Sequence, residues 1–472
     1  MSDRNPSSDN AIVWFRRDLR VGDQPMFLAA AEPARSALAL FVLDPALLEP
    51  SGPARRTFLY RSLRDLNDRL GGRLLVLRGD PAELVPRLAA AVGAAGVHMA
   101  ADFGPYGSRR DDAVAKALAE DGRELVRTGS PYAVAPGRVR KGDGEAFKVF
   151  TPFRRAWAQH GWREPADTDA GTLDWLDPGT LDGAPAAVPV PDDEPVLATL
   201  PEVGEDAALA RWRDFLNDPA GAGVIGYGKG RDRPDLDGTS RMSTYLKYGV
   251  VHPRTMLADL GLERSESAET YRTELAWREF YADVLWRRPD SARANYDSSF
   301  DALPVASGAH ARYLFGLWCE GRTGFPIVDA GMRQLREQAW MHNRVRMIVA
   351  SFLVKDLHLP WWWGARHFMH LLSDGDLASN QHGWQWTAGS GTDASPYFRV
   401  FNPIAQGEKF DPDGDYVRRF VPELAGVAGK TVHQPWLHNE GTPAGYPKPM
   451  VDHKAERLEA LARYEQVKAA RH

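Results

Sequence analysis

Four short stretches of this chain combine side-chain types whose spacing could do chemistry. Asp237-Gly238-Thr239-Ser240-Arg241-Met242-Ser243 sets hydroxyls and a glycine at an expected helix start. Exposed backbone N–H groups there suit a phosphate. Taken alone, simple N-capping is the plainer reading. Glu274, Trp277, Arg278 and Tyr281 fall at i, i+3, i+4 and i+7, so they share one helical face. A carboxylate, an indole and a guanidinium together can stack on and hydrogen-bond a planar heterocycle. Taken alone, a partly buried, ion-paired helix is the plainer reading of this face too.

Trp340-Met341-His342-Asn343-Arg344-Val345-Arg346-Met347 places Asn343, Arg346 and Met347 on one face, with Arg344 expected to turn away. Arginines beside an amide and a thioether suit a phosphate backbone and an apolar, base-sized ligand. Solvated arginines would explain the charges, but not an asparagine inside a helix. The fourth stretch is Asp374-Gly375-Asp376-Leu377-Ala378-Ser379-Asn380-Gln381-His382-Gly383-Trp384-Gln385-Trp386. Leu377, Asn380 and Trp384 are expected on one face, and a buried amide between two apolar residues needs a partner. The acids at 374 and 376 lack a His or carboxylate at metal-ligand spacing, so no metal is expected. Trp361-Trp362-Trp363 adds a large aromatic surface. No HExxH, Walker loop or nucleophile elbow is present.

These stretches need elements to position them. Short apolar runs at 12–15, 37–43, 74–77 and 97–100 alternate with helical patterns at 58–70, 82–92 and 111–120. That alternation predicts an α/β doubly wound parallel sheet. The run Arg16-Arg17-Asp18-Leu19-Arg20 follows the first strand in place of a glycine fingerprint, so an ordinary dinucleotide fold is not expected. Residues 164–210 hold no Lys or Arg, 12 acidic residues and several prolines, and read as an extended surface linker. From 211 onward the pattern is helical, and 11 of the 15 tryptophans lie there. The expected division is 1–135, an α/β domain; 136–210, a linker; and 211–472, an all-helical domain.

Composition limits the rest. The chain has 472 residues with 58 basic and 63 acidic side chains, net −5, which gives no argument for a nucleic-acid partner. Setting aside the acidic stretch leaves 58 against 51, or +7, yet residues 211–472 alone come to only +1. Any anion-binding surface must therefore be a local patch. One cysteine, Cys319, precludes an internal disulfide and fits a reducing cytoplasm. No run of about 18 apolar residues is present, and the first ten residues are polar, so neither a membrane span nor a signal peptide is expected.

Together these stretches resemble the DNA photolyase/cryptochrome family, most closely the bacterial cyclobutane pyrimidine dimer photolyases. The resemblance begins at Val13-Trp14-Phe15-Arg16-Arg17-Asp18-Leu19-Arg20. It is densest from Gly321-Arg322-Thr323-Gly324-Phe325-Pro326 through the Asn380–Trp386 stretch to Tyr397-Phe398-Arg399-Val400-Phe401-Asn402-Pro403. It implies FAD, in its reduced form, within the helical domain. Tyr227 and the Thr239 to Ser243 segment match positions around the flavin phosphates and ribose, and Tyr271, Asp374, Gly375 and Asp376 match the flavin pocket. Arg346 and Asp374 match an ion pair beside the isoalloxazine, and Asn380 matches the residue facing flavin N5. An amide there can donate or accept.

The resemblance also implies a substrate: UV-damaged DNA carrying cyclobutane pyrimidine dimers, flipped into the site. Glu274 would hydrogen-bond the dimer edge, Trp277 and Trp386 would stack on it, Asn343 and Met347 would fit its other side, and Tyr281 would belong to the same face. Arg231, Arg278 and Arg344 would hold flanking phosphates. Light-driven electron transfer would split the dimer. Trp384 and Trp361 match a tryptophan chain that rereduces flavin, but its third member falls in 303–308, where no aromatic stands; Tyr313 and Trp318 are candidate substitutes. Folate-binding members carry a Cys-Lys pair near 290–296 that this sequence lacks. Asp102-Phe103-Gly104-Pro105-Tyr106 resembles the loop of members that bind 8-hydroxy-5-deazaflavin as antenna, with Gly104 replacing an acidic contact; FMN or no antenna are the alternatives. A cytoplasmic monomer without an obligate protein partner is expected. The alternative function is a cryptochrome-like photoreceptor, against which Asn380 and the short segment after the last helix both count.

Overall fold

The computed structural model describes residues 10–34, 36–218, 221–261, 263–397, 399–437, 441–443 and 445–469. Phe398 of the last family motif, the first nine residues and the last three residues are among those outside them.

Continuous apolar runs, buried on both faces, build the amino-terminal sheet. β1 (Asn10–Phe15), β2 (Ser36–Leu43), β3 (Leu74–Arg78), β4 (Gly96–Met99) and β5 (Glu124–Arg127) run parallel in the order β3-β2-β1-β4-β5. That is the doubly wound order, reversing between β1 and β4. Successive side chains point to opposite faces. Ile12, Trp14, Leu38 and Leu40 pack under the Pro81–Val92 and Pro105–Glu120 helices. Val13, Phe15, Ala39 and Phe41 instead join a core that continues through Phe58 to Tyr245, Tyr271 and Phe280. The sheet and the helical region thus share one apolar core.

The expected strands are present. The helices begin earlier than expected, at Pro53, Pro81 and Pro105, because proline occupies the first helical position, where its missing N–H costs nothing. β5 was not expected: its Glu-Leu-Val-Arg sequence is too short and too polar to stand out.

The expected linker is only partly extended. It contains the Phe150–His160 helix, whose Trp157 is fully buried and donates to Glu279 Oε2 at 2.6 Å. It also supplies β6 (Asp174–Trp175), which pairs parallel with β2. Several of its acids are ion-paired. Glu194 pairs with Arg56, Asp193 with Arg61 and Arg64, and Asp206 with Arg69, all three against the Pro53–Arg69 helix. Part of the +7 left by setting these acids aside is therefore already neutralised by them.

Beyond β6 the described chain is helical. Among the described residues no helix is long and apolar enough to cross a membrane. The Glu266–Arg287, Asn343–Ser351, Trp361–Leu371 and Leu377–Ala388 helices converge on one cavity.

Candidate functional site

The cavity has a volume of about 510 Å³, within the usual ligand-site range. One wall is the segment before the Ser243–Tyr248 helix. Its N-cap is Met242 with no side-chain cap bond, so Thr239 and Ser240 are not there for capping. Arg211 instead takes the carbonyls of Ser240 and Thr239 at 3.0 and 3.2 Å, and Arg241 adopts φ 54°. Ser240 Oγ lies 2.7 Å from the Tyr271 hydroxyl, and Tyr271 packs edge-on against Tyr227. Met242, Ser243 and Arg241 complete this wall, with Arg241 over the ring of Trp340 at 4.6 Å.

The Glu266–Arg287 helix presents Glu274, Trp277, Arg278 and Tyr281 to the cavity together, as their spacing predicted. Trp277 stacks on Phe150 at 3.6 Å and 9°, a contact that fixes its plane. Glu274 Oε1 is 2.7 Å from Arg231 Nη1. Burial pushes the Glu274 carboxyl up, and Arg231 only partly opposes it. Arg278 donates to Pro131 O at 2.9 Å and Leu246 O at 3.2 Å, so its guanidinium braces two backbones instead of standing free for a phosphate. Tyr281 stacks on His382, with ring centroids 5.6 Å apart.

The Asn343–Ser351 helix corrects two expectations. Asn343 is its first residue, not an interior one, and His342 caps it by accepting from Arg344 N at 3.2 Å. Arg344 does not turn away. At the first turn its long side chain curls back, donates to Met347 Sδ at 3.7 Å and pairs with Asp232 at 2.8 Å, so it lines the cavity beside Asn343, Arg346 and Met347.

Arg346 donates to Asp374 Oδ2 at 2.8 Å and to Met341 O at 2.8 Å. The Asp374 side chain is 2% exposed, and its other oxygen, Oδ1, is buried without a hydrogen-bond partner. A buried acceptor of that kind needs a donor from a bound group. Asp376 has a different task. Its Oδ1 accepts from Ser379 N at 3.0 Å, capping the Leu377–Ala388 helix, while Oδ2 takes Arg17 Nη2 at 2.7 Å. Burial opposes ionisation of Asp376, but Arg17 and Lys247 outweigh it and hold the carboxyl well below the usual range.

Asn380 uses both amide N–H groups, on Ala365 O at 3.1 Å and Gln381 Oε1 at 2.9 Å. Its carbonyl oxygen is left with capacity for a cavity partner. Leu377 is exposed and does not share that face with Asn380 and Trp384; it is the helix's first residue, at the solvent end. Gly375, Trp384 and Trp386 line the cavity, whereas Trp361 stands behind it.

Sequence reasoning missed Lys247, Trp340, Asp232 and Phe150. Burial lowers Lys247 to about 7, assisted by Arg17. Nothing local marks a lone lysine on a six-residue helix, and Phe150 meets Trp277 only through the fold.

A flavin nucleotide meets suitable groups here. The Thr239–Ser243 wall offers hydroxyls and an arginine to phosphates, Asp374 Oδ1 offers an acceptor to a ring N–H, and Leu246, Leu275, Phe368 and Leu372 give the apolar faces.

The family model for DNA photolyase matches residues 11–170, and that for the FAD binding domain of DNA photolyase matches 271–466. The chain is 41% identical over 474 residues to a deoxyribodipyrimidine photo-lyase of Streptomyces griseus, covering 97% of this chain and 99% of that one. It is 38% identical over 477 residues to that of Vibrio cholerae, with the same shares covered. A bacterial class III photolyase structure from Agrobacterium tumefaciens matches with TM-score 0.88 and 36% identity over 99% of each chain. An archaeal photolyase from Sulfolobus tokodaii with two FAD molecules matches at TM-score 0.82 and 27% identity, over 97% of this chain and 99% of that one. A Synechocystis cryptochrome matches at TM-score 0.84 and 27%, over 97% and 98%. On these grounds the chain belongs to the DNA photolyase family.

Proposed function

We propose that the protein is a light-driven photolyase that repairs cyclobutane pyrimidine dimers in DNA with a reduced FAD in the cavity. One observation carries this reading. A single cavity joins a flavin-suited floor of Asp374, Arg346 and Asn380 to a dimer-suited wall of Glu274, Trp277, Met347 and Trp386. A purely photoreceptive flavoprotein would not need the second set.

Bound there and excited by light, the reduced flavin supplies the electron that opens the dimer and takes it back. The chain's own residues bind and orient. Asn380 offers its oxygen to the flavin ring edge, and Arg346, bound to Asp374 Oδ2, leaves Oδ1 to accept a ring N–H. Glu274, raised by burial, can hold a proton on its carboxyl and donate it to a pyrimidine carbonyl, or accept from a ring N–H. Trp277, its far face fixed by Phe150, gives its free face to one pyrimidine, and Trp386 stacks on the other. Asn343 and Met347 fill the remaining side. Flanking phosphates fall to Arg231 and Arg344, which line the cavity and would exchange Glu274 and Asp232 for them, with Arg278 bracing the wall. Flipping a dimer costs less than flipping a normal pair, because the joined bases stack poorly.

The antenna is assigned to the carboxyl end of the sheet, where doubly wound folds bind ligands. Asp102 to Tyr106 turn there into the Pro105–Glu120 helix, with Asp102 accepting from Gly104 N at 3.0 Å and Tyr106 donating to Asp44 at 2.5 Å. 8-Hydroxy-5-deazaflavin is the proposed occupant; FMN, or a second FAD as in the Sulfolobus protein, are the alternatives, and the mass of the released chromophore decides. The protein is proposed to act as a cytoplasmic monomer, in units of 1–135, 136–210 and 211–472. Dark binding tests the substrate assignment: duplex DNA with a thymine dimer should bind tightly and salt-sensitively, and equal affinity for undamaged DNA contradicts it.

A further inference from the structure

The segment 303–308, which lacks an aromatic, borders a void. Leu303, Pro304 and Val305 form one wall of a second cavity of about 280 Å³, and Trp361 and Trp362 line another. No ring from that segment reaches Trp361, so an electron entering by this route must come from elsewhere.

The indoles themselves offer the route. Trp384 lines the flavin cavity and is 3% exposed. Its six-membered ring lies against the backbone at Gly364, so closely that a Cβ there would stand 2.1 Å from Cη2. Gly364 is one helical turn from Trp361 on the same face, so Trp384 packs on the backbone one turn along the helix that carries Trp361. Trp361 is 4% exposed and donates its N–H to Asn295 Oδ1 at 2.9 Å. A neutral amide is a poor base, so an oxidised Trp361 keeps its proton and its positive hole. The adjacent ring is Trp362, with centroids 5.9 Å apart at 83°, and it is 37% exposed.

A second path starts at Trp384 and stops. Trp318 lies 6.1 Å away but is fully buried, with its N–H on Val349 O at 3.1 Å. The next ring outward is Phe315 at 5.8 Å, before Trp363 at 5.3 Å. Phenylalanine is far harder to oxidise than an indole, which closes that branch. Tyr313 is exposed but makes no ring contact with either tryptophan path among the described residues.

We propose that Trp362 is the surface terminus of an electron relay running Trp362, Trp361, Trp384, which rearms the enzyme after its flavin is oxidised. The proposal rests on the flavin reading of the main cavity. One electron leaves Trp384 for the light-excited oxidised flavin, and the hole moves to Trp361 and then to Trp362. There the indole N–H proton passes to water. A thiol in solution then gives a hydrogen atom to the indolyl nitrogen: its S–H bond breaks, the N–H forms, and thiyl radicals pair as a disulfide.

Transient absorption on the oxidised, flavin-loaded protein tests this, with dithiothreitol as the thiol. Parent protein should show a long-lived tryptophan radical and steady photoreduction. Trp362→Phe should keep its flavin content and the earliest radical signal, yet lose the long-lived radical and the thiol-dependent photoreduction. Trp318→Phe and Trp363→Phe should retain both. A long-lived radical surviving in Trp362→Phe, or abolished in Trp318→Phe with flavin still bound, overturns the relay. Failure of the parent protein to bind flavin overturns the underlying reading instead, and is seen before any flash.

Discussion

Arg231 and Glu274 are bound to each other, Nη1 to Oε1 at 2.7 Å, at the mouth of the flavin-sized cavity. Sequence gave them separate tasks, one on a phosphate and one on a pyrimidine edge. Their pairing means that substrate entry must share or exchange this contact, so neither residue can be changed without altering the other.

Glu274→Ala should therefore leave flavin bound but weaken dimer recognition. A hydrogen bond to a charged group contributes about 1.5–3 kcal/mol, or roughly 10- to 100-fold in dimer affinity. Titration with dimer-containing DNA checks it. Arg231→Ala should act differently, lowering affinity for damaged and undamaged DNA alike and flattening the salt dependence.

Arg346→Ala should be the more damaging half of its pair. It strands a carboxylate whose side chain is 2% exposed, while Arg346 itself is 25% exposed. Removing one partner of a buried pair costs about 3–5 kcal/mol, and the partial exposure of Arg346 places this case at the lower end. Asp374→Asn, which leaves a partly exposed arginine instead, should lose less stability but still shed flavin. Denaturant unfolding and flavin retention distinguish the two.

His342 gives a pH dependence of known sign. It caps the Asn343–Ser351 helix through a neutral ring nitrogen, and burial lowers it from 6.5 to about 4. Between those values the unfolded chain binds the proton and the folded chain does not, so stability falls as pH drops from 6.5 toward 4. His342→Ala should lose about 1 kcal/mol at neutral pH as the cap is removed, and show a shallower decline across that window.

Gly364→Ala probes the contact behind the flavin site. The new Cβ would meet Trp384 Cη2 at 2.1 Å and Leu353 Cδ2 at 2.7 Å. Overpacking of this kind costs about 1–3 kcal/mol. It should also displace Trp384, visible as a slower first step of photoreduction at unchanged flavin load.

Much of the site was legible because its residues sit on helices whose period is visible in sequence. Glu274, Trp277, Arg278 and Tyr281 reach one wall through spacing alone, and the sheet declared itself through alternating apolar runs. What escaped was set by contacts across the fold. Asp376 lines the pocket as its sequence context suggests, but its Oδ1 also caps a helix and Arg17, 359 residues away, ties it to the amino-terminal domain. The acidic stretch looked like free linker because its arginine partners lie on the distant Pro53–Arg69 helix. Arg344 was misplaced because helical-face arithmetic fails in a first turn, where a long side chain can fold back.

The central claim is that this cavity couples a reduced flavin to a pyrimidine dimer. The direct measurement is chromatographic counting of intact thymines after the reduced, flavin-loaded protein is illuminated with blue light on dimer-containing DNA, beside a dark control. Light-dependent restoration of thymines, greatly reduced in Glu274→Ala, is the predicted result. No restoration in light, with flavin bound and reduced, contradicts the account.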